Sequence, residues 1–392
     1  MRLPRAWLLA VLGAVAAIQV VALLHWATNF GSQVGEDFDV HWAAAHLLLT
    51  GHRGEMFSLT AQIQAAHAAG VGGLTYLYLA AWGPVGLATV LPLGLLPLNV
   101  AIGVWTALQA GAVLAAVVLA VGGRDRLRGH GPLAAVALLA APGLTAMLAL
   151  GQWEGFAALL VVLAWRDAAA GRATRSTLWL LLLGAALPQM VLGLAVFQVA
   201  LWGWRPVRVL LAGGAAIGAA WTLLLGPAGV ATWAGQLLDL SHQPLRDTDG
   251  LAGAVAGLAG GGPLATGVGL LAAGAALAAC WMLGRHLREA GTNATPAQLM
   301  PAFALPVTAL SLLASPHVFD YYLVALAPLV VAALVSGARR GVALLWAALG
   351  LLSVAGLHSG EVWWHPAVPL ALLAMAATAM PAAQRLRYAL RW

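Results

Sequence analysis

Apolar runs of about twenty residues, the length a helix needs to cross a lipid hydrocarbon core, recur along the chain and are broken by short polar segments of two kinds. One kind carries Arg: the N-terminus, GGRDRLRG (122–129), RDAAAGRATR (166–175), WGWRPVR (202–208), GRHLRE (284–289), SGARR (336–340) and the tail QRLRYALR. The other comprises 28–75, GQWEG (151–155), LPQM (187–190), 227–250, SPHVFDYY (315–322) and HSGEVWWH (358–365). The two kinds alternate, as a serpentine path requires. Cytoplasmic loops of membrane proteins collect Arg, so the first kind is expected inside and the second outside.

This pattern predicts an all-α polytopic membrane protein with about twelve transmembrane helices and both termini cytoplasmic. The parity holds only if 76–97 does not cross, and Gly83, Pro84, Pro92 and Pro97 suit it to a broken segment at the outer interface. Arg2 and Arg5 precede the first run with no small-residue cleavage site, which predicts an uncleaved first span. The Gly- and Ala-rich stretch 251–276 reads as close helix packing, and Trp residues near span ends read as interface anchors.

Composition agrees. The 392 residues are 62% hydrophobic and 8% charged, with mean hydropathy +0.90, too few polar side chains to coat a water-soluble globule. Every one of the nineteen basic residues is Arg, and the net charge of +6 belongs to membrane faces, with no nucleic-acid partner expected. Seventeen of those Arg fall inside, while ten of thirteen acids and nine of eleven His fall outside. Function is therefore expected on the outer face. Cys280, in an apolar run, reads as a small buried hydrophobe.

The densest chemistry is GEDFDVHW (35–42), three carboxylates and a His within six positions. A solvated helix start is one reading of it, a divalent-cation site another, and a general base for an attacking hydroxyl a third. In a helix beginning near residue 36, Asp37 and His41 share a face and make the natural pair, with Asp39 turned elsewhere. The further candidates for substrate contact are Gln152 and Glu154 in the GQWEG turn, Gln189 in LPQM, and His317, Asp320 and Tyr321 after the helix stop at Ser315-Pro316. Arg53 and Arg246 are the two outer cations, suited to a phosphate. Nucleotide-loop and Cys/His metal spacings are missing from the sequence, and neither a metal nor a cofactor is expected.

These motifs resemble the bacterial membrane glycosyltransferases of family 87, in the broad class with a multi-span GT-C fold. The resemblance rests on Asp37-Phe38-Asp39-Val40-His41, Leu48 to Gly51, Pro92 to Pro97, Gly151-Gln152 and Ser315 to Tyr321. It implies a polyprenyl-phosphate sugar donor, often mannose, metal-free inversion at the anomeric carbon, and Asp37 as the base. The acceptor would be a hydroxyl of a glycolipid or glycan, and the setting the cell's inner membrane with its outer face towards the periplasm. The chain departs from the family pattern at Tyr78-Leu79-Ala80 in place of Tyr-Pro-Pro, at Leu187 in place of a Lys before Pro-Gln, and at Glu154 in place of Asn. Residues 1–226, with the outer segment 28–97, are expected to form the catalytic module and 227–392 to close a cavity. A lipid-linked glycan transporter, or a catalytically silent homologue, is the alternative; a transporter places ionisable groups near the bilayer midplane.

Overall fold

A computed structural model of the chain describes residues 5–29, 35–70, 83–241, 250–258, 262–290, 296–315, 318–337, 340–359 and 367–389. Among them there is no strand, and most of them are helical. Four helices are long and apolar enough to cross a membrane: α1 (Arg5–Asn29), α5 (Leu98–Val121), α12 (Trp204–Ser241) and α14 (Pro263–Ala290). The pair α7 (Gly131–Leu139) and α8 (Leu144–Leu150), bent by 63°, makes a fifth if it counts as one broken span.

The other apolar helices that come closest to that length hold 10–17 residues, so at 1.5 Å per residue they reach roughly 15–25 Å against a core of about 30 Å. A count near twelve therefore requires short helices to join across breaks. Within 76–97, the described part forms α4 (Pro84–Val90) and a 3₁₀ turn at Leu91–Leu95, both short, as its prolines dictate.

The helices that hold the site are α2 (Glu36–Leu49), α9 (Glu154–Ala169), α10 (Ala173–Ala186) and α15 (Pro296–Ala314). α9 is central, packing on α5, α10, α15 and the 3₁₀ segment Asp320–Leu326. α15 ends at Ala314, immediately before Ser315-Pro316, where proline disfavours the helical conformation of its predecessor. α12 and α14 keep large apolar side chains such as Leu211, Leu223, Leu264 and Leu271 exposed, as lipid-facing helices do.

Some connecting segments of like kind meet. Arg126 donates to Ser336 (3.3 Å) and Arg205 to Thr174 (3.0 Å), joining Arg-rich segments to one another. In the Arg-poor group, the Gly35 N–H donates to the Ala149 carbonyl (2.7 Å), bringing the start of α2 onto the segment that leads into GQWEG. Cys280 is fully buried, as expected of a small hydrophobe.

Candidate active site

Docking of the α2 start against the 149–152 turn builds the site. Gly151 ends α8 at φ +74, where an L side chain is strained, and a Cβ there would fall inside contact distance of Phe38. Trp105 of α5 locks the arrangement: its indole N–H donates to the Gly151 carbonyl (2.7 Å) while its ring stacks on Phe38 with centroids 5.2 Å apart. With Phe38 seated, Asp37 meets the next turn, and its carboxylate accepts a hydrogen bond from the Gln152 amide. The acid and the amide are 115 residues apart in sequence.

A second docking brings in the segment after α15. Gly143, at φ +72, lies so close to Asp320 and Tyr321 that a Cβ could not be accommodated. Ser353 of α17 (Arg340–Ser359) accepts from the Gly143 N–H (2.8 Å) and donates to an Asp320 carboxylate oxygen (2.6 Å). From the LPQM turn, Gln189 donates to the Tyr322 hydroxyl. Ser311 holds that turn from α15, accepting from the Leu194 N–H (3.1 Å) and donating to the Met190 carbonyl (2.9 Å).

Glu154 opens α9 at the GQWEG turn, ahead of the apolar run, with 0% of its surface exposed. Among the described residues, neither of its carboxyl oxygens has a hydrogen-bond partner in another residue. Burial pushes this carboxyl up to about 8; its own main-chain N–H opposes the rise, and the charges of Asp37 and Asp320 add to it. Asp37, Asp320 and Glu154 thus form one acidic centre that Tyr321 and Tyr322 also face.

The outcome for the remaining predicted residues is mixed. Asp39 is buried on α2. His41 is buried too, but it donates from Nδ1 to the main-chain carbonyl of Asp37 (2.7 Å), so the expected Asp37–His41 pair is made through the backbone and not to the carboxylate. Burial pushes its imidazole down to about 3, against the raising effect of that hydrogen bond, and His41 is a neutral donor and not a cation. Arg53 donates to the Leu223 carbonyl (3.2 Å), next to the kink of α12 at Gly226, a structural use for one of the two outer cations. Arg246, His317 and Tyr78-Leu79-Ala80 lie outside the described residues. Among the described residues no group of three His, Cys, Asp or Glu is placed to hold a metal ion.

Sequence reading missed Ser353 and Tyr322. Tyr322 sat inside a motif already singled out, whereas Ser353 lies in the apolar run 340–359, where nothing sets a lone Ser apart. An apolar cavity of about 630 Å³ opens between α10 and α12, lined by Gly184, Pro188, Gly214, Ile217, Trp221 and Trp233 among others. Pro188 in its wall directly precedes Gln189. The indole N–H groups of Trp221 and Trp233 are buried without an acceptor among the described residues.

Comparison with curated proteins finds no match, and comparison with solved structures finds none either. Residues 76–316 match the family model described as Glycosyltransferase family 87. That stretch contains Gln152, Glu154 and Gln189; Asp37 and Asp320 lie on either side of it. Because the match covers well over half of the chain, this apolar helical protein with an acidic centre belongs to glycosyltransferase family 87.

Proposed function

We propose that the chain transfers a sugar, mannose by family resemblance, from a polyprenyl-phosphate carrier to a hydroxyl of a glycolipid or glycan at the outer face of the cell membrane. The observation that carries this reading is the convergence of Asp37, Gln152, Glu154, Gln189, Asp320 and Tyr322 from four distant segments, all of the Arg-poor kind, into one centre. Asp37 takes the proton of the acceptor hydroxyl as it attacks the anomeric carbon, and the polyprenyl phosphate leaves from the opposite side with inversion. Gln152 holds the Asp37 carboxylate in place and supports its ionised form by donating to it.

An aqueous outer site has no supply of cytoplasmic nucleotide sugars, whereas a donor carried in the bilayer reaches it laterally. The cavity suits the isoprenoid chain of such a donor, being walled by apolar side chains. The position matching the family Lys is Leu187, which is buried. In its place the Trp221 and Trp233 N–H groups offer neutral donors to phosphate oxygens, and Arg246 is the cation the sequence supplies for the same role.

The test is to incubate purified protein with a small panel of polyprenyl-phosphate sugars and, separately, with nucleotide sugars, and to follow the phosphate product. Release of polyprenyl phosphate from one member of the lipid-linked panel, with no consumption of nucleotide sugar, is the expected result. No release from any of them would favour the transporter or silent-homologue reading.

A further inference from the structure

The centre contains three carboxyl groups, and their surroundings differ in kind. Asp37 accepts from the Gln152 amide, and Asp320 accepts from the Ser353 hydroxyl. Donated hydrogen bonds favour a carboxylate over a carboxylic acid. Among the described residues Glu154 has no donor from another residue, and none of its surface is exposed. An ionised carboxylate deprived of both water and partners is among the costliest groups a fold can bury, and taking up a proton is the route by which it escapes that cost.

No cation among the described residues offers a different escape. α5, α15 and α16 (Ala327–Val335), packed on α9, carry no titratable side chain. On α10, the guanidinium of Arg175 is engaged with Asp167 at the far end of α9. Among the described residues, the titratable groups that interact with Glu154 are Asp37 from α2 and Asp320, Tyr321 and Tyr322 from the 3₁₀ segment, all acids or phenols.

We propose that Glu154 is the proton-bearing member of the carboxyl centre, a positioning residue that stays neutral while Asp37 and Asp320 are ionised and so limits the negative charge a phosphate-bearing donor must approach. The inference rests on the transfer reading for its consequence, though not for the proton itself. Losing that proton places a third negative charge in a buried site and repels the donor phosphate. It also raises the proton affinity of Asp37, which weakens its commitment to the ionised base form. Transfer therefore falls as pH rises through the titration of Glu154. Replacement by Gln keeps the shape of the neutral acid and has no proton to lose.

Two measurements test this on the purified full chain. The first is an infrared titration of wild type and Glu154→Gln. A protonated-carboxyl carbonyl stretch is expected in wild type at neutral pH, lost above about pH 8 and missing from the variant. The second is the pH profile of transfer with whichever polyprenyl-phosphate sugar is turned over. Wild type is expected to lose about tenfold per pH unit on the alkaline side, while the profile of Glu154→Gln, normalised to its own neutral-pH rate, lacks that limb. A merely structural role would change the yield of folded protein and leave the shape of the profile alone. Should Glu154→Gln not accumulate, Glu154→Asn, the residue the family pattern carries there, takes its place in both measurements.

An absent carboxyl band, or an alkaline limb that survives unchanged in the variant, overturns the proposal. If the band is present and no donor is consumed, the proton assignment stands and it is the transfer reading that fails. If transfer proceeds without the band, the reverse holds.

Discussion

The two acids of α9 make an instructive contrast, because they sit on one helix and are treated in opposite ways. Glu154 is in the first turn, the end that the helix dipole favours for a negative charge, and Asp167 is in the last turn, the end it disfavours. Yet Asp167 is the satisfied one. It is bridged by Arg172 (3.3 Å) and Arg175 (3.4 Å) and accepts from the Trp179 indole (2.8 Å). Among the described residues Glu154 has no such partner, and none of its surface is exposed. A fold that neutralises an acid fully at the unfavourable end has the means to do so at the other. The acid left uncompensated beside Asp37 and Asp320 is the one to be read as functional, and the compensated acid as structural.

If that contrast is right, disturbing each end moves a different quantity. The largest of these effects is expected from Gln152→Leu, which strips the Asp37 carboxylate of its donor. A hydrogen bond to a charged group contributes about 1.5–3 kcal/mol, so transfer by the folded variant falls roughly ten- to a hundredfold. Its thermal unfolding changes little. The next effect is at the opposite end: Asp167→Ala leaves the Trp179 indole and two guanidinium groups without their acceptor. It is expected to lower the free energy of unfolding by about 1–2 kcal/mol, the low end because both Arg partners are more than half exposed. Transfer per folded molecule stays within about twofold of wild type. A large loss of specific activity in Asp167→Ala would dissolve the distinction. The smallest effect belongs to Arg128→Ala, whose partner Asp125 is almost fully exposed. Such pairs contribute at most about 0.5–1 kcal/mol, and calorimetry should find the variant close to wild type.

Much of this was legible before any coordinates. The arginine alternation placed the acidic segments in one group, and members of that group meet in the structure. The long runs at α1 and α5 read directly as spans, since length and hydropathy alone decide them. The stop at Ser315-Pro316 followed from proline sterics, and burial of Cys280 from its apolar neighbours.

What sequence did not reveal depends on how distant segments dock. Helical spacing put Asp37 and His41 on one face, but spacing cannot say that Gln152 outcompetes His41 for the carboxylate; that is set by Gly151 meeting Phe38. Ser353 was invisible for the same reason, its role being defined only by Asp320 and Gly143. Arg53 looked like a phosphate ligand because it broke the charge rule. The structure gives it a carbonyl of a kinked helix. The short helices α7 to α11 (Leu192–Trp202) also blur the count of crossings, because hydropathy marks apolar runs without marking where a helix bends.

The claim on which everything else rests is that Asp37 takes the acceptor's proton, and the direct measurement separates donor binding from turnover in Asp37→Asn and Asp39→Asn. For Asp37→Asn, the account predicts donor affinity within about threefold of wild type and release of polyprenyl phosphate slowed by about 10²–10⁴-fold, the usual cost of removing a general base. Asp39→Asn, altering a buried neighbour that tunes the local field, should slow release by about tenfold or less. Near wild-type turnover in Asp37→Asn beside a dead Asp39→Asn would contradict the account and move the base to Asp39.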